Sequence, residues 1–72
     1  MSVVKVIEIL AESDKSWEHA VQTAVSEAAK TIHGIKAVWI KELQAVVENN
    51  QVTRYRADCK LSFVLDQDRK GS

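Results

Sequence analysis

One tryptophan and a row of cationic side chains are the residues of this chain best suited to bind a ligand. Trp39 lies in a stretch where side chains alternate between two faces, and Arg54, Arg56 and Lys60 share one face of a later stretch. An indole can stack on a planar ring, and an arginine or lysine can neutralise a phosphate group. A partner subunit could instead bury the indole, and the residues alone leave both alternatives open.

The other reactive side chains form no catalytic arrangement. A helix carrying both His19 and His33 would hold them about 21 Å apart along its axis. Cys59 falls on an apolar face, where a buried and inert thiol is expected. Gly34 and Gly71 are the only glycines, so there is no glycine-rich phosphate-binding loop. We therefore expect no enzymatic activity.

Hydrophobic periodicity predicts three strands and one helix. The first strand contains Val4 to Leu10, the helix runs from about Ser16 to His33, and two strands span about Ile35 to Glu48 and Gln51 to Asp66. The apolar helix positions form one stripe, consisting of Trp17, Ala20, Val21, Ala24, Val25, Ala28, Ala29 and Ile32. Its alanines would let the helix lie close against a sheet.

Local signals mark the boundaries of these elements. Ser13 or Ser16 can cap the start of the helix, and Gly34 is suited to its end. Asn49-Asn50 is a short polar turn that predicts a hairpin between the last two strands. The alternation slips between Leu43 and Val47, which predicts a β-bulge.

Strand, helix, strand and strand in this order predict an α+β fold, with the helix packed on one face of a small sheet. The helix is expected to cover the face that carries Val38, Ile40, Tyr55, Ala57 and Cys59. The opposite face is expected to present Trp39, Lys41, Arg54, Arg56, Asp58 and Lys60.

The two C-terminal strands are longer than the helix that should cover them. The Ile35 to Glu48 strand would reach about 46 Å, whereas the predicted helix reaches only about 27 Å. Apolar residues such as Val47 and Phe63 would therefore stay uncovered in a single subunit. We expect copies of the same chain to cover them.

Composition narrows the classes of protein. The 72 residues predict a single domain, 1–72, with a frayed polar tail at 67–72. Ten basic and ten acidic residues balance, which argues against nucleic acid as a partner. The N-terminal stretch carries Lys5 and Glu8 and predicts neither a signal peptide nor a membrane span. A lone cysteine is typical of a reducing setting, so a cytoplasmic location is expected.

Five segments of the chain resemble the dodecin family. They read KVIEI, ESDKSWEHAV, AVWIKE, VVENNQ and YRADCKLSFVLD, and together they extend over nearly the whole sequence. Dodecins are strand-helix-strand-strand proteins whose three-stranded antiparallel sheet partly wraps the helix. They assemble into hollow dodecamers. The resemblance therefore implies a homododecamer, in agreement with the mismatch in length.

The resemblance also implies a ligand. Many dodecins store flavin, FMN or riboflavin, with the rings stacked between tryptophans at two-fold axes and bonded by a glutamine. The family's tryptophan position falls on Ala37, and Trp39 follows two positions later on the same face. The glutamine position falls on Arg56. We expect flavin storage with Trp39 as the stacking residue and with Arg56 and Gln51 as polar partners.

An alternative without flavin stays open. A branch of dodecin-like proteins lacks the tryptophan and glutamine pair, carries an arginine in the glutamine position, and has been linked to calcium. This chain shares with that branch the Ser16-Trp17-Glu18 helix start and the Tyr55-Arg56 pair. Such a shell would bind calcium, chloride or another anionic molecule at symmetry axes. The sequence assigns no metal ligands, since one chain has no recognisable loop of acidic residues.

Overall fold

One helix and a three-stranded sheet make up the fold. The computed structural model describes residues 3–65 and contains β1 (Val3–Ser13), α1 (Trp17–Ala28), β2 (Ile35–Glu48) and β3 (Gln51–Leu65). The predicted α+β class and order of elements are confirmed. Asp66, the predicted end of the last strand, and the tail at 67–72 lie outside the described residues.

β3 is the central strand of the sheet. The strand order is β1-β3-β2, and β3 is antiparallel to both neighbours. Leu61 of β3, for example, lies opposite Ile7 on β1 and Val38 on β2. β3 contains neither proline nor glycine, so none of its residues lacks the amide hydrogen that the ladders need.

Two serines order the connection from β1 to α1. Ser16 is the N-cap, and its side chain accepts a hydrogen bond from the His19 amide at 3.0 Å. The buried Ser13 hydroxyl accepts from the Lys15 amide at 2.9 Å. Glu18 places a negative charge in the first turn, where it complements the helix dipole. The capping roles predicted for Ser13 and Ser16 as alternatives are thus divided between both residues.

α1 ends at Ala28, so the predicted end at His33 is wrong. The amides of Lys30 and Thr31 bond to carbonyls three residues back, which turns the chain more tightly than an α-helix. Gly34, with φ of +78°, therefore reverses the chain after this turn and not directly at the helix end. The α-helical part is only about 18 Å long, which increases the mismatch with the strands.

Small side chains form the core between α1 and the sheet. Three alanines of the helix, Ala20, Ala24 and Ala28, are buried, as predicted from the stripe. The full buried cluster consists of Ala11, Ala20, Ala24, Ala28, Ala57, Cys59 and Leu61. Because alanine projects little from a helix, α1 can approach β3 closely.

α1 lies over β1 and β3 and leaves much of β2 uncovered. Val38, Ile40 and Leu43 are on the side of the sheet that the helix occupies, yet they are 36%, 44% and 52% exposed. The prediction that α1 covers Val38 and Ile40 was therefore correct for the face but wrong for the burial. Covering β2 as well would require a second helix.

The long hairpin of β2 and β3 is irregular at several points. Asn49 and Asn50 have φ of +53° and +62°, the geometry of a tight hairpin turn, so the predicted turn is confirmed. The register shifts between Val46 and Val47, within the region predicted to hold a bulge. A second shift makes Lys41 the extra residue between two paired neighbours, and the sequence pattern did not predict it.

Candidate functional site

Trp39 lies on the face of the sheet opposite α1, which we call the outer face. Among the residues of this face are Glu8, Leu10 and Glu12 of β1, Ala37, Trp39, Lys41, Glu42 and Gln44 of β2, and Arg54, Arg56, Asp58 and Lys60 of β3. Trp39 pairs with Lys60, and its side chain is 61% exposed. The Lys60 ammonium lies over the indole, with Nζ 5.1 Å from the ring centroid. The negative face of the ring attracts this cation.

Carboxylates and ammonium groups alternate beside Trp39. Glu8 lies opposite Lys60, and its Oε2 is 3.5 Å from Nζ of Lys41. A hydrogen bond with Asp58, helped by the Lys41 charge, lowers the pKa of Glu8. The same hydrogen bond, together with desolvation, raises the pKa of Asp58. Glu42 is paired with Asp58 across the strands, and its negative charge raises the pKa of Asp58 further.

A second charged group lies nearer the hairpin turn. Nε of Arg56 donates to Oε1 of Glu12 at 2.8 Å, and Arg54 lies 3.5 Å from both Glu12 and Glu48. The hydrogen bond from Arg56, followed by the charges of both arginines, lowers the pKa of Glu12. The predicted row of cations on β3 is thus largely neutralised by acids from β1 and β2.

The structure brings only some of the predicted binding residues together. Ala37 lies on the outer face two residues before Trp39, about 7 Å along β2. Arg56 is four residues from Lys60, the partner of Trp39, and is therefore about 13 Å away along β3. Gln51 is about 30 Å away, beside the hairpin turn. Within one protomer, Gln51 is therefore too far away to contact a ring stacked on Trp39.

Lys60 and Glu8 show what the sequence pattern alone missed. Alternation placed Lys60 on the correct face, but the contact with Trp39 depends on the register between β2 and β3. The position of Glu8 depends on the pairing of β1 with β3, which are far apart in the chain. A hydrophobic period gives the face of each residue and not its cross-strand neighbour.

An apolar groove of about 350 Å³ opens on the other face of the sheet, between α1 and β2. It is lined by Trp17, Glu18, Val21, Gln22, Ile40 and Leu43. Trp17 was predicted to be core, but it is only half-buried and forms a wall of this groove. Its Nε1 donates to the Gln44 carbonyl at 2.8 Å, and its ring meets the Tyr55 ring edge-on at 4.9 Å. Trp17 therefore ties the start of α1 to β2.

The surroundings of Cys59 and His19 indicate structural roles for both side chains. The Cys59 thiol is buried, and burial, together with the nearby Asp58 charge, raises its pKa, so the reactive thiolate is disfavoured. The His19 ring lies at the surface, with Nδ1 2.7 Å from the Ser13 hydroxyl. That hydroxyl is buried and already bonded to the loop amides, as expected for a cap.

Two classes of feature are absent from the described part of the chain. Residues 3–65 contain no group of three or more His, Cys, Asp or Glu side chains placed to hold a metal ion. In the same residues, no helix is long and apolar enough to cross a membrane.

Comparisons with known proteins agree on one family. A family model described as Dodecin matches residues 3–66. A calcium dodecin from Mycobacterium tuberculosis is 35% identical over 65 residues, which cover 90% of this chain and 92% of that protein.

Solved structures match the fold closely. A dodecin variant from Thermus thermophilus superposes with a TM-score of 0.88 at 25% identity, over 93% of this chain and all of that one. The calcium-chelating dodecin from Mycobacterium tuberculosis superposes with a TM-score of 0.79 at 30% identity, over 93% of this chain and 96% of that one. The strand-helix-strand-strand fold and the match over nearly the full length make this chain a member of the dodecin family.

Proposed function

We propose that this protein is a non-catalytic flavin-binding and storage protein that assembles with copies of itself into a hollow cytoplasmic dodecamer. Trp39 is the observation that carries the proposal. A large aromatic side chain, 61% exposed, projects from the middle of the outer face. Aromatic rings gain from offset stacking, and an isoalloxazine ring offers a broad flat surface for it.

Uncovered apolar residues support self-assembly. The protomer extends over 56 × 19 × 12 Å, whereas α1 covers only about 18 Å of that length. Large hydrophobic side chains remain exposed on both faces, namely Val3, Val4, Val6, Leu10, Val38, Ile40, Leu43, Val47 and Val52. Large amounts of exposed apolar surface mark association surfaces in soluble proteins. Further copies of the chain would remove these side chains from water.

The separations on the outer face indicate how a flavin would be held. Two protomers would meet with their outer faces around a two-fold axis, and a ring would stack on each Trp39. Ala37 is small and leaves space beside the ring. Because Gln51 lies too far from Trp39 in its own protomer, its polar contact would come from the second copy. We assign the contact of Arg56 to the second copy as well, because about 13 Å of β3 separates it from its own Trp39. Arg56 uses its Nε to bond Glu12 at 2.8 Å, and its two terminal nitrogens carry further donors suited to a flavin carbonyl.

Flavin fluorescence tests the proposal. Purified protein is expected to quench FMN or riboflavin fluorescence up to an equimolar ratio, and Trp39→Ala is expected to abolish this quenching. Stacking of a base on an aromatic side chain is worth about 1–3 kcal/mol, which corresponds to roughly 5- to 150-fold in the dissociation constant. Glu27→Ala, which shortens an exposed side chain of α1 on the other side of the sheet, serves as the control.

Two results would contradict the proposal. Unchanged quenching by Trp39→Ala would remove Trp39 from the site, and an absence of quenching by the unaltered protein would exclude flavin storage. Sedimentation tests the assembly separately: a folded single protomer at micromolar concentration would refute the dodecamer.

Calcium binding is the second candidate function. It is favoured by the 35% identity to the calcium dodecin of Mycobacterium tuberculosis. Since one protomer has no metal-ligating cluster among residues 3–65, such a site would need acidic residues from neighbouring copies. Calcium should then raise the melting temperature of the assembly, whereas magnesium, which prefers stricter geometry, should do so less. Equal effects of the two ions would argue against a specific site.

A further inference from the structure

We propose that Lys60 determines the specificity of the Trp39 site by selecting flat aromatic ligands that carry an anionic group over neutral ones. For a flavin, this means the phosphorylated form over riboflavin. The inference rests on the proposed function, because it concerns a ligand that stacks on Trp39.

The contact between Lys60 and Trp39 is built into the sheet. The two residues are direct partners across β2 and β3, and Nζ of Lys60 lies 5.1 Å from the centroid of the indole. In this proposal, a ligand ring stacks on the same face of the indole. Lys60 therefore caps the site, and a ligand has to displace its ammonium group.

Neighbouring charges leave the indole as the main partner of this ammonium. Glu8 is the residue opposite Lys60 on β1, but its carboxylate lies 3.5 Å from Lys41. Once displaced from Trp39, the Lys60 ammonium would meet a carboxylate whose charge Lys41 already balances in part.

The charge of the ligand then decides how well it binds. A neutral ring displaces the ammonium and offers it no new partner. The lost contact weakens binding by about two- to five-fold, which corresponds to the usual free energy of an exposed cation–π contact. A ligand with a phosphate or another anionic group offers the displaced ammonium a charge-assisted hydrogen bond. We expect FMN to bind about five-fold more tightly than riboflavin, within the range of exposed ion pairs.

Replacing Lys60 by a neutral side chain of similar length tests this inference. In Lys60→Met the cap is lost, so riboflavin should bind about two- to five-fold more tightly than to the unaltered protein. FMN loses its ion pair but no longer has to displace a cation, so the preference for FMN should nearly disappear. The control is Lys30→Met. Lys30 lies in the turn after α1 and is paired with the exposed Glu27 of the helix. This variant should leave both affinities unchanged.

Dissociation constants from fluorescence quenching, measured at low and high salt, give the readout. The preference for FMN should shrink as salt screens the ion pair. An unchanged preference in Lys60→Met, or weaker riboflavin binding, would overturn the inference, because the ligand would then use a surface that Lys60 does not cap.

A second pair of probes separates this inference from the flavin proposal. If neither flavin binds, AMP and adenosine test charge selection on Trp39 with a different flat ring, and calorimetry measures their affinities. A preference for AMP that Lys60→Met removes would uphold the role of Lys60 and refute only flavin storage. Equal or undetectable binding of both would overturn the inference as well.

Discussion

The close approach of α1 to the sheet predicts that a larger side chain at Ala24 destabilises the protein. Ala24 is 2% exposed and belongs to the same buried cluster as Cys59 and Leu61, both fully buried. A leucine at this position adds three carbon atoms where there is no space, and such overpacking typically costs about 1–3 kcal/mol. For a domain of this size, each kcal/mol lowers the melting temperature by about 4–8 °C. Ala24→Leu should therefore melt roughly 4 to 24 °C lower.

Thermal unfolding followed by circular dichroism measures this effect. The protomer concentration has to be fixed, because the melting temperature of an assembling protein depends on it. Ala29→Leu is the matched control, since Ala29 is exposed at the C-cap of α1 and a leucine there meets solvent. If both variants melted at the same temperature as the unaltered protein, the reasoning that alanines set the helix–sheet distance would be refuted.

Two further predictions concern the hairpin turn and the loss of stability at acidic pH. Asn50→Ala should destabilise the protein by about 1 kcal/mol in chemical denaturation, because a left-handed conformation is costly for residues other than glycine and asparagine. Asn50→Gly should cause no such loss of stability. Equal denaturation midpoints for the two variants would contradict this prediction. Glu12 has a lowered pKa in the folded state, so its contribution is present above the ordinary carboxyl pKa and is lost as the pH falls through the folded value. Glu12→Gln should therefore flatten the fall in melting temperature at acidic pH, and an unchanged slope would refute the role of its pairs with Arg54 and Arg56.

Sequence reasoning succeeded where local patterns decide the structure. The bounds of β2, the hairpin turn at Asn49 and the face of Trp39 all follow from alternation and turn chemistry between near neighbours in the chain. The end of α1 did not follow from its pattern. The apolar stripe continues to Ile32, but the chain beyond Ala28 forms tighter turns, and Ile32 packs against the core from outside the α-helix.

The candidate site could be predicted from the sequence less completely than the fold. Which cation lies on Trp39 depends on the register of β2 with β3, and the acids beside it depend on β1. The lateral position of α1, which leaves Ile40 and Leu43 uncovered, is a tertiary property that no single element encodes. Contacts across a subunit interface are harder still to predict from the sequence. Neither the hydrophobic pattern nor the strand register of one chain determines where a second copy lies.

The place of β3 in the sheet bears on how the chain folds during synthesis. β1 and β2 never pair with each other, and each finds its hydrogen-bonding edge only in β3, which follows both of them in the chain. Until the ribosome releases β3, the hydrogen-bonding edges of β1 and β2 stay unpaired and their apolar side chains stay exposed to water. The contacts of β1 with β3, which lie far apart in the chain, also form slowly. A nascent or C-terminally shortened chain would therefore be a natural client for chaperones, and stalled synthesis before Gln51 would yield no sheet.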